Sequence, residues 1–177
     1  MIKVTDSLWQ GCVDEAGADG FTCIVSVGNG VSRRTDIPVW HLPLVEFSAP
    51  RPFGIKVLDG ERHRMRLPSS EEIVAAIELV RKLIERGEKV FLHCDAGISR
   101  SVGIAAGYLV RSGQVPHLFD GYRIVEGRPV DDPYNYAIYR QGNPFNNVLS
   151  QITDDRYWEK FDTYSDLLNY VWPKNTT

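Results

Sequence analysis

No stretch of this sequence approaches the roughly 20 consecutive apolar residues that a helix needs to cross a bilayer, and none follows the opening Met1-Ile2-Lys3-Val4-Thr5-Asp6. The expectation is a soluble chain with no targeting segment and no membrane partner. An excess of one charge is lacking too. The formal net charge is −3 and the two signs are interspersed, so no basic field exists of the kind that draws nucleic acid. Anion recognition therefore has to be local. Cysteine is scarce: Cys12, Cys23 and Cys94 form neither the disulfide framework of a small secreted domain nor the paired spacing of a zinc site. That favours a reducing, cytoplasmic setting. Internal repeats and low-complexity tracts are missing. Gly28-Asn29-Gly30 reads as ordinary turn chemistry, because no G-x-G-x-x-G follows it. Asn175-Thr176-Thr177 fits a glycosylation acceptor, but its terminal place in a cytoplasmic chain argues against use.

What is present suits one compact domain: 177 residues, 43% hydrophobic and 24% charged, enough to cover a core. Short apolar or alternating runs at Ser7 to Cys12, Thr22 to Val27 and Val39 to Val45 are separated by turn residues and predict strands. Helix signals begin at Pro68-Ser69-Ser70-Glu71-Glu72, where Ser69 and Glu72 have capping-box spacing and Ile73, Val74, Ile77, Val80, Leu83 and Ile84 share one face. Gly87 is placed to close that helix. Lys89-Val90-Phe91-Leu92 is too short for a helix and predicts a buried strand. Ser101 to Arg111 is small and apolar and ends at Ser112-Gly113, predicting a tightly packed helix. Further helices are expected from Pro116 and Pro133 and between Asp154 and Trp172, whose aromatics read as core packing. The fold class that results is α/β (α+β): a central mixed, largely parallel sheet flanked by helices.

The junction between the buried strand and the small-residue helix carries the chemistry. It reads His93-Cys94-Asp95-Ala96-Gly97-Ile98-Ser99-Arg100-Ser101. A loop from strand to helix aims several backbone N–H groups at one point, and the positive end of the helix dipole adds to them. Gly97 permits a sharp backbone path there, and Arg100 offers two parallel donors to a phosphoryl group. A cysteine at the start of such an anion site is held as thiolate by the same donors, so the loop that binds the anion also makes the nucleophile. Attack on phosphorus would form a phosphocysteine, which water hydrolyses. Ser101 is placed to donate a hydrogen bond to the departing sulfur.

His93-Cys94, five residues, then Arg100-Ser101 resembles the signature of the cysteine-dependent protein tyrosine phosphatases, and Ala96-Gly97-Ile98-Ser99-Arg100-Ser101 resembles the dual-specificity branch. The likeness extends through the preceding helix and strand, the following helix, and Arg128-Pro129 with a Pro133-Tyr134 helix start. It weakens after about residue 142. The resemblance implies a single catalytic domain over 1–177, with 143–177 a C-terminal helical extension. It also implies hydrolysis of phosphotyrosine, and with it phosphoserine or phosphothreonine, on a phosphorylated protein substrate without metal or cofactor. Cys94 is the nucleophile, Arg100 and the backbone of Asp95, Ala96, Gly97, Ile98, Ser99 and Arg100 bind phosphate, Ser101 assists sulfur's departure, and His93 tunes the thiolate from outside the pocket.

The family's general acid sits on a separate loop some thirty residues before the cysteine, and it maps most directly to Asp59 in Ile55-Lys56-Val57-Leu58-Asp59-Gly60-Glu61. Glu61 and Glu46 are its rivals, and a plain turn carboxylate is the bland reading of Asp59. This segment is longer than the family pattern and carries Arg62, His63, Arg64 and Arg66, either a solvated loop or a rim for acidic substrates. A lipid or inositol phosphatase would profit from lysines where Asp95, Ala96 and Ile98 stand, and an RNA 5′-phosphatase from a strongly basic surface. A non-catalytic phosphoprotein-binding module would not need Cys94, Arg100 and Ser101 intact. Cys12 and Cys23 read as packing residues, or as traps for oxidised Cys94.

Overall fold

Period-two and continuously apolar runs become a five-stranded sheet in the order β1-β2-β5-β3-β4. The computed structural model describes residues 1–30, 34, 36–44, 70–95, 97 and 100–126. Its strands are β1 (Ile2–Lys3), β2 (Leu8–Cys12), β3 (Cys23–Ser26), β4 (Val39–His41) and β5 (Val90–Cys94). A short 3-10 turn, Val13–Gly17, follows β2. The helices are α1 (Ser70–Glu85), α2 (Arg100–Arg111) and α3 (Leu118–Glu126). Only β1 runs antiparallel to its neighbour, so the sheet is mixed and largely parallel, as the sequence predicts.

β5 lies in the middle, and all five of its residues are buried. A strand covered on both faces has no solvent side to make polar, which is why it reads as an apolar run. On one face Val90, Leu92 and Cys94 pack with Leu8, Val25 and the apolar sides of α1, α2 and α3. On the other, Phe91 meets Ala16, Phe21, Ile24 and Val39, with Trp9 against the cluster.

Gly87 closes α1 at φ 86°, its N–H bonded to Ile84 O at 2.9 Å and that of Glu88 to Leu83 O at 3.0 Å, a Schellman arrangement. The corresponding pair at the end of α2 runs from Gly113 to Val110 and from Gln114 to Leu109, both at 3.0 Å. Differences from expectation are local. β1 carries no sequence signal beyond two residues paired to β2. β4 ends at His41, although Leu42 and Leu44 still bond to Ser26 and Val27 of the neighbouring chain segment. α3 begins at Leu118 and not at Pro116, because the first turn's amides bond to the carbonyl of His117. Ser69, Pro133, residues 143–177 and the expected helix over 154–172 lie outside the described residues.

α1 and α2 are tied by a fully buried carboxylate. Glu78, 0% exposed, accepts from Arg81 Nε at 3.0 Å and from Arg111 Nε at 2.9 Å. Burying an ionised carboxylate costs several kcal/mol in general, and two guanidinium partners are what make it tolerable. The Arg111 bond ties the C-terminal end of α2 to α1. Among the described residues no helix is long and apolar enough to cross a membrane.

Candidate active site

Three parallel strands end side by side. Cys12 is the register partner of Cys94, and Ser26 that of His93, so the loops leaving β2, β3 and β5 share one edge. In parallel sheets ligands bind at this carboxyl end. α2 starts there at Arg100, six residues after Cys94, with its positive dipole end toward the loop.

Cys94 is 2% exposed. Its Sγ accepts the Gly97 N–H at 3.2 Å and lies 3.1 Å from Ser101 Oγ. The Gly97 amide donates to the sulfur from the middle of the loop, and the Ser101 hydroxyl at the start of α2 is within reach to do the same. Gly97 has φ 71°, and a Cβ on it would lie 2.7 Å from Gly11 C and 2.9 Å from Cys12 N. The loop thus passes so close over the end of β2 that only glycine fits, in a left-handed conformation. Ala96, Ile98 and Ser99 lie outside the described residues, as do Asp59, Glu61, Glu46 and the basic run at 62–66.

Arg100 is held from two sides. Nη1 donates to Leu44 O at 3.0 Å and Nη2 to Asp95 Oδ2 at 2.8 Å. Each bond uses one of the two hydrogens on its nitrogen. The other oxygen of Asp95 accepts the Gly30 N–H at 2.7 Å. Burial acts to raise the Asp95 carboxyl, but the backbone donors of Gly30 and Asn29 and the Arg100 guanidinium outweigh it and hold it below the usual carboxylate range. Sequence reasoning assigns Asp95 a backbone role alone. Its side chain instead joins the arginine to the 28–30 turn.

His93 points to the opposite face of the sheet from Cys94, as strand alternation requires. It is 0% exposed, stacks on Phe91 with centroids 5.8 Å apart, and its Nδ1 lies 2.9 Å from Cys94 O. A carbonyl only accepts, so Nδ1 carries a hydrogen, and in the neutral ring Nε2 does not. Nε2 is buried with no hydrogen-bond partner among the described residues. Burial pushes the imidazole below its ordinary value, against the opposing pull of the Cys94 carbonyl and Asp95.

That shift has a sign. As pH falls through about 6.5 the unfolded imidazole takes a proton that the folded one resists, so the contribution is complete above about 6.5 and declines below it. Urea unfolding at about pH 7.5 and about pH 5.5 is expected to show lower stability at the acid value, with a smaller drop in His93→Asn. Equal drops in both proteins would remove His93 from the account.

Gln10 is a residue of the site that sequence reasoning missed. It sits on β2, 2% exposed, with Nε2 2.9 Å from Gly97 O and 2.8 Å from Ser101 Oγ. The available signal was a lone amide in the alternation Leu8, Gln10, Cys12 on a strand otherwise covered by helices. The other two cysteines separate as well. Cys12 is in register beside Cys94, whereas Cys23 is paired with Val90 at the far end of β5. Burial pushes the Cys23 thiol up to about 12, and of the two only Cys12 lies beside Cys94 in the strand register.

The family model for the dual specificity phosphatase catalytic domain matches residues 13–138. Among curated proteins, the chain is 28% identical over 166 residues to the tyrosine-protein phosphatase vhp-1 of Caenorhabditis elegans, covering 84% of this chain and 24% of that protein. It therefore spans about a quarter of that relative's length. Human DUSP28 superposes with a TM-score of 0.52 at 22% identity, over 92% of this chain and 98% of that one. DUSP15 superposes with a TM-score of 0.54 at 16% identity, over 91% and 96%. These two likenesses concern the fold.

Proposed function

The chain belongs to the dual specificity phosphatase catalytic-domain family, and on that premise we propose that it hydrolyses phosphomonoesters on proteins through a phosphocysteine intermediate. Phosphotyrosine is the first substrate, with phosphoserine and phosphothreonine beside it. The observation that carries the reading is the sulfur of Cys94, buried at a strand end and met by the Gly97 amide at 3.2 Å and the Ser101 hydroxyl at 3.1 Å.

The reaction divides among the residues as follows. The loop amides from Asp95 to Arg100 and the Arg100 guanidinium hold the phosphoryl oxygens and take up the charge that develops on them. Cys94 Sγ attacks phosphorus in line, and the P–O bond to the leaving group breaks. The leaving oxygen takes its proton from the general acid, which we assign to Asp59. Water then attacks the phosphocysteine, Asp59 receives the water's proton, and sulfur leaves with the electron pair while Ser101 donates to it. His93 supports the site from behind by holding the Cys94 carbonyl. The setting we propose is reducing and cytoplasmic, from the scarcity and spacing of cysteine in the sequence. No nucleic acid or membrane partner is proposed.

Mixing the protein with an aryl phosphate is expected to release one equivalent of aryl alcohol in a burst, followed by steady turnover. Binding of phosphotyrosine without release would establish a capture module instead. For the acid, Asp59→Asn is expected to slow an alkyl phosphate about tenfold or more beyond its effect on an aryl phosphate with a good leaving group, which needs little protonation. Equal slowing of both would move the role to Glu61 or Glu46.

A further inference from the structure

Gln10 occupies a place where the sheet calls for an apolar side chain. It lies on the face of β2 that also carries Leu8, under the helices, and Leu8 is wholly buried. An amide at 2% exposure is destabilising unless its hydrogens are used. Both are used, and both on the loop that holds Cys94. The partner at 2.9 Å is the carbonyl of Gly97, which can only accept. It fixes the amide with nitrogen, not oxygen, toward the loop. The second hydrogen then goes to Ser101 Oγ at 2.8 Å.

Ser101 is therefore an acceptor toward Gln10, and its own hydrogen has two places to go among the described residues. Cys94 Sγ is at 3.1 Å and Gly11 O at 3.5 Å, the latter at the limit for a hydroxyl donor. The same amide that fills a lone pair on Ser101 also directs the serine's hydrogen onto the sulfur and, by drawing on Oγ, makes it a better donor. From this we infer that Gln10 is a positioning residue that aims the Ser101 hydroxyl at Cys94 and thereby sets the rate at which the phosphocysteine is hydrolysed.

The inference rests on the phosphatase reading. In the affected step water oxygen bonds to phosphorus, the P–S bond breaks, and its electron pair stays on sulfur. The water's proton goes to the acid–base carboxylate, and inorganic phosphate leaves. Sulfur carries full charge only at the end of this step, which is where the Ser101 hydrogen matters. Formation of the phosphocysteine consumes the thiolate and needs that donor less.

Gln10→Met keeps the shape and removes both donors, while Gln10→Glu puts an acceptor toward Ser101 and turns its hydrogen away from the sulfur. With 4-nitrophenyl phosphate, both variants are expected to keep the burst within about threefold while steady turnover falls about tenfold, with phosphoenzyme accumulating on acid quench. Inhibition by inorganic phosphate should change by no more than about twofold. In a Ser101→Ala background, Gln10→Met should add nothing. Parallel loss of burst, turnover and phosphate binding would show a merely structural residue, as would an undiminished effect in Ser101→Ala. Absence of any turnover in the unaltered protein would instead overturn the phosphatase reading. The inference would still be decided by alkylation of Cys94 with iodoacetate, whose pH profile Gln10→Met and Ser101→Ala should both move upward by the same amount. A profile that moves in only one of them overturns it.

Discussion

Cys94→Ser is expected to abolish turnover of an aryl phosphate, by about 10⁴-fold or more, and to leave the fold intact. The change replaces one atom. A serine hydroxyl in the same place is a neutral group at any accessible pH, and the Gly97 amide and Ser101 hydroxyl that serve a thiolate cannot turn it into an alkoxide. The rest of the anion site is not touched, because the loop path depends on Gly97 and its contacts with the end of β2, not on sulfur. The altered protein should therefore still bind inorganic phosphate or a phosphotyrosine peptide. Kinetics on a chromogenic aryl phosphate together with calorimetric binding would check both halves. Residual turnover above about 1% of the unaltered rate would mean that another group supplies the nucleophile, and the proposed mechanism would fail.

Gly28→Ala should be the next most damaging change, for a reason that lies entirely in the packing. A Cβ on Gly28 would lie 2.5 Å from Asp95 Oδ1, 2.7 Å from Asp95 N and 2.9 Å from Cys94 C. Two of the three are main-chain atoms of the loop itself, so relief cannot come from a rotamer change. Either the exit of β3 or the Cys94–Asp95 peptide has to move, and the sulfur moves with it. The same intrusion presses on the carboxylate that joins Arg100 to the 28–30 turn. A displacement on the order of 1 Å at reacting groups costs about 10²-fold, and overpacking of this kind costs about 1–3 kcal/mol of stability. The measurements are kcat/KM on an aryl phosphate and the urea midpoint. Gly17→Ala, where a Cβ meets nothing within 4 Å, is the control expected to change neither. Near-normal activity in Gly28→Ala would show that the loop has slack the structure does not indicate.

Gly28 illustrates how far a sequence reaches. Gly28-Asn29-Gly30 is indistinguishable in sequence from any surface turn, since what makes it special is the main chain of residues 94 and 95 lying against it. Gln10 is a similar case. Its polarity within a strand pattern is visible, but its partners are 87 and 91 residues away along the chain. Asp95 shows the converse. Its backbone role follows from its place in a loop between strand and helix, while its pairing with Arg100 at 2.8 Å depends on a turn of the loop that no spacing rule specifies. The strands β2, β3 and β5 and the helices α1 and α2 are legible because period and punctuation are local properties. The two residues of β1 and the true start of α3 are less so, because their limits are decided by partners.

Sequence alone determined the α/β class of this protein and carries the proposal of Cys94 as nucleophile and of the loop after it as anion site, because each rests on residues a few positions apart whose chemistry acts on near neighbours. Only the tertiary structure decided which distant groups complete the site. The amide of Gln10, the turn at Gly28 and the carbonyl of Leu44 reach the loop from Cys94 to Ser101 because parallel strands end together at one edge of the sheet. Strand order is settled by how the whole core packs and not by any segment of the chain.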